Sequence, residues 1–466
     1  MKLLPIITIL PILSLGLTGC NLYRTYSRPE VPAVDSLYND STRAYVDSAG
    51  SLGTMPWDSL FRDRCLRALV NRALENNTDL RVAFLRVDQA AASLNAAKLA
   101  YLPSLTFSPG GAITSVDGNK ASKTYEIPVS LSWEIDLFGK LRNAKRESQA
   151  QLLGQTAYAQ AVRSRLISSV AEAYYSLLMF DEQIDISTAT IELWKEQLRA
   201  MELQLKVGDI RANAVSQARA NLEQLLAANN GLMRQRREVE NSICTLLGET
   251  YRPVERTSLK EQTLPADISV GLPLSLLSCR PDVVQAEMTL AASFYAVNQS
   301  RAAFYPSLTL GGSAGWTNSL GQAVSNPGGW LLQALGSLVQ PIFQRGKLKA
   351  NLRISEDEEE IALLNYRQTL LEAGQEVNDA LYAIEAYSRD IEHHTSQSEA
   401  LEKTVSSNEL LFRTSSATYL ELLSSRQDLL NSRLNLVVDK YNQLQSVVTL
   451  YRALGGGSET SGRSDP

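Results

Sequence analysis

The sequence predicts a mixed α and β membrane protein: a trimeric, twelve-stranded β-barrel with four strands per chain, continuous with a long α-helical barrel and built on an internal two-fold repeat. Three observations predict it. Tyr125, Ile127, Val129, Leu131, Trp133 and Ile135 alternate with Glu126, Pro128, Ser130, Ser132, Glu134 and Asp136, the period of a strand wetted on one face only. Residues 140–207 and 347–454 contain no proline and very few glycines, so both are read as long helix. A shift of 203 lays Tyr101-Leu102-Pro103-Ser104-Leu105-Thr106 on Phe304-Tyr305-Pro306-Ser307-Leu308-Thr309, and a shift of 207 lays Gly139-Lys140-Leu141 on Gly346-Lys347-Leu348.

From the N-terminus, Lys2, the apolar run Leu3 to Leu17 and Leu17-Thr18-Gly19-Cys20 read as a secretory signal, residues 1–19, ending in a lipobox. An ordinary cleaved signal or a buried anchor is the alternative. The pattern resembles a bacterial lipoprotein signal, which implies cleavage before Cys20 and acylation of that residue. Asn21 in place of Asp resembles the pattern of lipoproteins passed on to the outer membrane. The remaining cysteines, Cys65, Cys244 and Cys279, fit neither a zinc site nor a disulfide framework and read as buried thiols. No later segment approaches the ~20 apolar residues of a spanning helix, so a membrane crossing falls to strands.

The expected order is an extended, lipid-anchored segment over 20–57, a first helix over 58–102, a strand pair over 103–137 and long helices over 138–252. A linker over 253–280 follows, then a second helix over 281–305, strands over 306–343, long helices over 344–454 and a flexible tail over 455–466. Strand partners are expected around Leu105 to Ile113, Leu308 to Trp316 and Leu331 to Phe343. Heptad seams run through Leu177, Ile184, Ile191, Leu198 and Leu205; through Val215, Leu222, Leu225, Leu232, Val239, Ile243 and Leu246; and from Leu420 and Leu423 through Gln427 and Leu430 to Tyr451. A helix of about 60 residues reaches roughly 90 Å, longer than a globular core uses.

Four strands cannot close a barrel, and open strand edges are not tolerated in hydrocarbon. Chains must pool strands, and three chains are the smallest ring that leaves a lumen. A small soluble sheet on a coiled-coil stalk is the alternative, which would make the chain a lipoprotein scaffold. A net charge of −5 over 466 residues, with no basic stripe, gives no sign of a nucleic-acid partner.

The lipobox, Arg280-Pro281-Asp282-Val283 with Ala286-Glu287, Trp133-Glu134-Ile135-Asp136-Leu137-Phe138-Gly139-Lys140, Phe304-Tyr305-Pro306-Ser307-Leu308 and Tyr419-Leu420-Glu421-Leu422-Leu423 together resemble the TolC-like outer-membrane factors, in their OprM/NodT lipoprotein branch. The resemblance spans nearly the whole chain. It implies a homotrimer in the cell outer membrane with a long periplasmic helical tunnel, the exit duct of a tripartite efflux pump. Such a duct passively conducts drugs or other small molecules, with a periplasmic adaptor and an inner-membrane transporter of the resistance-nodulation-division type as partners. A duct for ABC-type peptide or protein export is the alternative. Cys279 and Pro341-Ile342-Phe343-Gln344-Arg345-Gly346 depart from the pattern.

No enzyme is expected, and no cofactor beyond the covalent lipid on Cys20. Gly311-Gly312-Ser313-Ala314-Gly315 matches the hydrolase elbow in letters, but no helix is expected after its serine. His393 and His394 are adjacent and point about 100 degrees apart, unsuited to a shared metal. Neither Gly139-Lys140 nor Gly346-Lys347 carries the rest of a phosphate loop. The turns at Val207-Gly208-Asp209-Ile210 and Thr414-Ser415-Ser416-Ala417 are expected at the helix ends farthest from the strands. The resemblance makes them the periplasmic gate and adaptor-docking tips. Gly208, Asp209, Glu409, Arg413, Ser415 and Tyr419 are the candidate residues, with solvated helix surface as the plain reading of each. Arg280-Pro281-Asp282 reads as a restart of the module, proline and acid opening a helix.

Overall fold

The computed structural model describes residues 23, 25–29, 52–115, 117, 121–208, 210–263, 280–320, 323–414 and 418–457. They fall into two compact units, one within 1–30, 85–156 and 285–368, the other within 31–84, 157–284 and 369–466. Cys20, Asp209, Ser415 and Cys279 lie outside the described residues.

The first unit holds an antiparallel sheet: β1 (Ser104–Phe107), β2 (Gly110–Thr114), β3 (Ser122–Ile135), β4 (Ser307–Leu320) and β5 (Ala323–Val339). Its order is β1-β3-β4-β5, with β2 also on β3. The partner expected over Leu105 to Ile113 is therefore two strands. Pro109 has no N–H to give the ladder, and pairing resumes only at Gly110. Likewise β5 stops at Val339, ahead of Pro341, which leaves Ile342 and Phe343 outside the strand and exposed.

Register makes one face of this sheet apolar. Leu105 opposes Leu131, Trp133 opposes Leu310, Leu308 opposes Leu338, and Trp316 opposes Trp330. Residues directly opposite on antiparallel strands share a face. That face is uncovered, with Leu332 84% exposed and Trp330 77% exposed. An apolar face of this size left open is the pattern of strands solvated by lipid. The other face carries Thr106, Ser130, Ser313 and Gln333 in one row.

Gly139 and Gly346 each have φ near +80° (74° and 82°) and stand immediately before a long helix. The left-handed backbone there turns the chain out of the sheet region at no steric cost only to glycine. This is the structural role of the two Gly-Lys pairs.

The helices come in matched lengths. The pieces before the strands, α3 (Thr78–Leu99) and α6 (Pro281–Ala302), have 22 residues each. The long helices α4 (Lys140–Val207) and α7 (Lys347–Arg413) have 68 and 67, and α5 (Ala212–Leu246) and α8 (Tyr419–Ala453) have 35 each. The first helix expected over 58–102 is broken into α1 (Trp57–Leu60), α2 (Arg64–Asn76) and α3. Two side chains cause the breaks. Asp63 accepts from the Cys65 amide at 2.7 Å and caps the start of α2, while Asn77, at the end of α2, accepts from the Leu80 amide at 3.0 Å and caps α3.

The core of the second unit gathers Ile167, Val170, Tyr174, Leu177, Ile243 and Tyr451, all essentially inaccessible. At its edge Asp63 accepts from Tyr174 Oη at 2.7 Å, from Gln262 Nε2 at 2.8 Å and from the Thr257 hydroxyl. Gly455, Gly456 and Gly457 are buried here, with Ser164 donating to the Gly456 carbonyl, so the expected flexible tail does not begin at residue 455.

Arg280 is buried at 6% exposure. Its guanidinium donates to Asp282 Oδ1 at 3.0 Å, to Glu376 Oε2 at 2.9 Å and to the Ala453 carbonyl at 2.9 Å. The Arg-Pro-Asp motif thus starts α6 and ties that start to α7 and to the end of α8. Ser313 lies mid-strand opposite Ser130 and Gln333, with strand rather than helix after it.

Candidate functional site

Two helical hairpins of the second unit end at the turns singled out in the sequence. In the first, α4 closes at Val207, and Gly208, at φ 85°, donates its amide to the Leu205 carbonyl at 3.2 Å. In the second, α7 ends at Arg413 and Thr418 opens α8 with a reciprocal capping box. The Glu421 amide donates to Thr418 Oγ1 at 3.3 Å, while the Thr418 amide donates to Glu421 Oε2 at 2.8 Å. That cap fixes where the second turn stops.

Each hairpin is crossed near its end by one ion pair, at equivalent places. Arg219 on α5 donates to Glu202 on α4 at 2.8 Å. Arg426 on α8 donates to Glu409 on α7. Glu409 is therefore not free to face a lumen alone, because its charge is committed within its own hairpin. The sequence held the signal: the shift that sets Arg219 on Arg426 also sets Glu202 on Glu409.

Tyr419 belongs to a different contact from Glu409. Its ring lies 6.3 Å from that of Phe412 and packs beside Met201, Val215 and Ala218 of the first hairpin. Burial pushes its phenol above the ordinary tyrosine value, with Arg426 pulling the other way. Trp194, Leu198, Leu422 and Arg426 complete the pocket between the hairpins. Gly208 and Tyr419 are thus placed at a hairpin end, and Arg413 is the last residue of α7.

The two hairpins are held differently. Along α4 and α5 the contacts are Ile191, Trp194, Met201, Val215 and Leu222, close to the predicted seams. Between α7 and α8 the layers are polar: Asn408 with Ser425, Ser398 with Ser432, His394 with Asp439, and Ser388 with Gln443. Leu420 and Gln427, placed in the third seam from sequence, are exposed instead. Ser425, Ser432, Asp439 and Ser446 recur every seven residues, a polar seam that an apolar-only search passes over.

Residues 69–249 and 272–456 match the family model described as outer membrane efflux protein. The chain belongs to that family. Among its relatives are the cation efflux system protein CusC of Escherichia coli K12, 29% identical over 95% of this chain and 98% of the relative, and the probable outer membrane lipoprotein SilC of Salmonella typhimurium, 29% identical over 95% and 96%. Among solved structures, the CmeC outer membrane channel of Campylobacter jejuni superposes with a TM-score of 0.83 at 25% identity, covering 95% of this chain and 96% of that one. This outer membrane efflux protein is a transport component of the cell outer membrane and not an enzyme.

Proposed function

We propose that three copies of this outer membrane efflux protein form one passive exit duct, each lipidated at Cys20 after removal of residues 1–19. The sheet carries the proposal. Among the described residues, β1 and β2 on one side and β5 on the other have no further strand partner, while the sheet's apolar face is bare. Unpaired edges in hydrocarbon are costly, and four strands are too few to close. Three chains give about twelve strands and a lumen.

The helices flanking those strands support the same ring. On α3, Val87, Ala90, Leu94 and Ala97 are half-buried or buried, whereas Leu85, Gln89, Ala92, Ala96 and Leu99 form a second heptad row that is exposed. On α7, Ile354, Ile361, Leu364 and Gln368 make an equivalent exposed row behind buried Ala362 and Tyr366. A helix with two seams and one partner is an edge helix. Because α3 leads into β1 and β5 leads into α7, the open strand edge and the open helical seam lie on neighbouring elements at each end of the unit. The matched helix lengths support a duplicated module, so that each chain supplies two similar sectors.

The hairpin ends form the periplasmic gate. Gly208, Asp209, Arg413 and Ser415 are its proposed turn residues; the Glu409–Arg426 pair ties the two helices of the second hairpin together, and Tyr419 packs that hairpin against the first. Exposed Leu203, Val207, Leu410 and Leu420 give the periplasmic adaptor an apolar landing beside the turns. An inner-membrane transporter supplies the energy. Native mass spectrometry of the detergent-extracted protein tests the stoichiometry: the expected mass is three acylated chains, and a monomer or dimer contradicts the ring.

A further inference from the structure

The five strands carry only three charged residues, Lys123, Glu126 and Glu134, all on β3. Alternation sorts them between the two faces. Lys123 falls with Tyr125, Ile127 and Leu131 on the apolar face, whereas Glu126 and Glu134 fall with Ser130 on the other. Glu134 stands at the end of β3 nearest α4, where Lys140 donates to it at 2.8 Å. Glu126 stands roughly 26 Å further along the strand, away from the helices. It is exposed, and among the described residues no ion pair reaches it.

Its row of the sheet is bare. Gly110 opposes it on one side and Thr317 on the other, and Thr317 in turn opposes Gly329. Thr317 is 3% exposed, and its hydroxyl donates to the Tyr125 carbonyl at 3.1 Å, so it is committed to the backbone. The loop between β2 and β3 adds one charge of each sign, Asp117 and Lys120, and leaves the balance at that end unchanged. Within its own chain the Glu126 carboxylate therefore holds nothing together and is cancelled by nothing on its face.

We infer that Glu126 is a selectivity residue: one carboxylate from each chain forms a ring facing the lumen near its outer mouth, and that ring favours inorganic and small organic cations over anions. The inference rests on the proposed duct of three chains with the apolar face outward. Strands ~4.8 Å apart and tilted ~40° around a twelve-stranded ring set the backbone radius at about 12 Å. Salt screens charge over ~10 Å at 0.1 M and ~30 Å at 0.01 M, so in dilute salt the ring acts across the whole lumen. Rings of acidic side chains select cations in this way. A negative potential of only about half a thermal unit enriches monovalent cations over anions about three-fold, and charged openings in low-dielectric walls exceed that.

The test is the potassium-to-chloride permeability ratio of the full-length trimer in planar bilayers under a salt gradient, in an Arg426→Ala background that removes the hairpin ion pair. At about 0.01 M salt the ratio should be at least about three-fold. Glu126→Gln should bring it close to one, Glu126→Asp should keep it, and Glu126→Lys should invert it toward anions, all at equal trimer content on native gels. A ratio that survives Glu126→Gln, or one lost equally in Glu126→Asp, overturns the ring. The parent channel supplies a second measurement that needs no further substitution: its preference should fade toward one at about 1 M salt, and a salt-independent ratio also overturns the ring. No conductance from an intact trimer refutes the duct on which the inference rests, whereas conductance with unaltered selectivity in Glu126→Gln refutes the ring alone.

Discussion

At the scale of single residues, Asp63 shows how one side chain carries both local and tertiary structure. It caps α2 and accepts from Tyr174, Thr257 and Gln262. Burial opposes its ionisation, but the hydroxyl, amide and backbone donors outweigh burial and hold the carboxyl below its ordinary value. A depressed carboxyl stabilises the fold above the unfolded value of about 3.9, and that stabilisation is lost as pH falls through the folded value. Asp63→Ala is expected to cost about 2 kcal/mol at neutral pH. The gap to wild type should close below about pH 4, followed by thermal unfolding across a pH series. A gap that stays constant into acid contradicts the role of the ionised form.

The Arg-Pro-Asp stretch is legible in sequence as a helix start, since proline and acid both favour that place. Its arginine is not. The partners of Arg280 on α7 and α8 are 96 and 173 residues away, and no spacing in the sequence points to them. The same limit hid the ion pair of Arg28 and Glu287, whose halves lie 259 residues apart.

At the scale of elements, what could be read is what repeats at short period. Alternation located β3, and freedom from proline located α4 and α7. Heptads placed Leu177, Ile184 and Ile191 on the buried side of α4. What failed was decided by single residues or by chemistry outside the apolar pattern. Asp63 and Asn77 split the first helix, Pro109 split a strand, and Ser425, Ser432 and Asp439 turned α8 away from Leu420 and Gln427. The polar layers also separate the hairpins functionally. Hydrogen bonds can be exchanged for contacts with water or a partner at small net cost, about 1 kcal/mol each, whereas opening an apolar seam forfeits its whole buried area. The α7/α8 hairpin is accordingly the part of the gate that moves in this account.

The second seam on α3 makes its own prediction. Leu85→Glu adds a charge to a surface that is exposed in one chain and covered in the ring. Helix content and thermal unfolding of the isolated chain should be nearly unchanged, while the trimer fraction on native gels falls at least about ten-fold, as expected for burying an unpaired carboxylate at an interface. A wild-type trimer fraction would place the seam elsewhere.

At the scale of the molecule, membership of the outer membrane efflux protein family and the geometry of one chain meet in a single requirement: the sheet must find partners. Everything proposed about the duct follows from that incompleteness, from the apolar outer face to the pairing of open edges around a lumen. The helices of 67 and 68 residues are each roughly 100 Å long, several times the ~30 Å of a bilayer's hydrocarbon core. Near its end each hairpin carries one ion pair open to a simple substitution, Arg219–Glu202 in the first and Arg426–Glu409 in the second. An exchangeable pair of this kind contributes about 1 kcal/mol, enough to bias a two-state gate but not to hold it against a docked partner.

Ion conductance of the purified protein in planar bilayers, wild type beside Arg426→Ala, tests the conduit most directly. A continuous duct held shut at its hairpin ends predicts low conductance for the wild type. Arg426→Ala should show several-fold higher conductance or open probability at unchanged trimer content. No conductance from either protein, with the trimer intact, would contradict a continuous passage through the molecule.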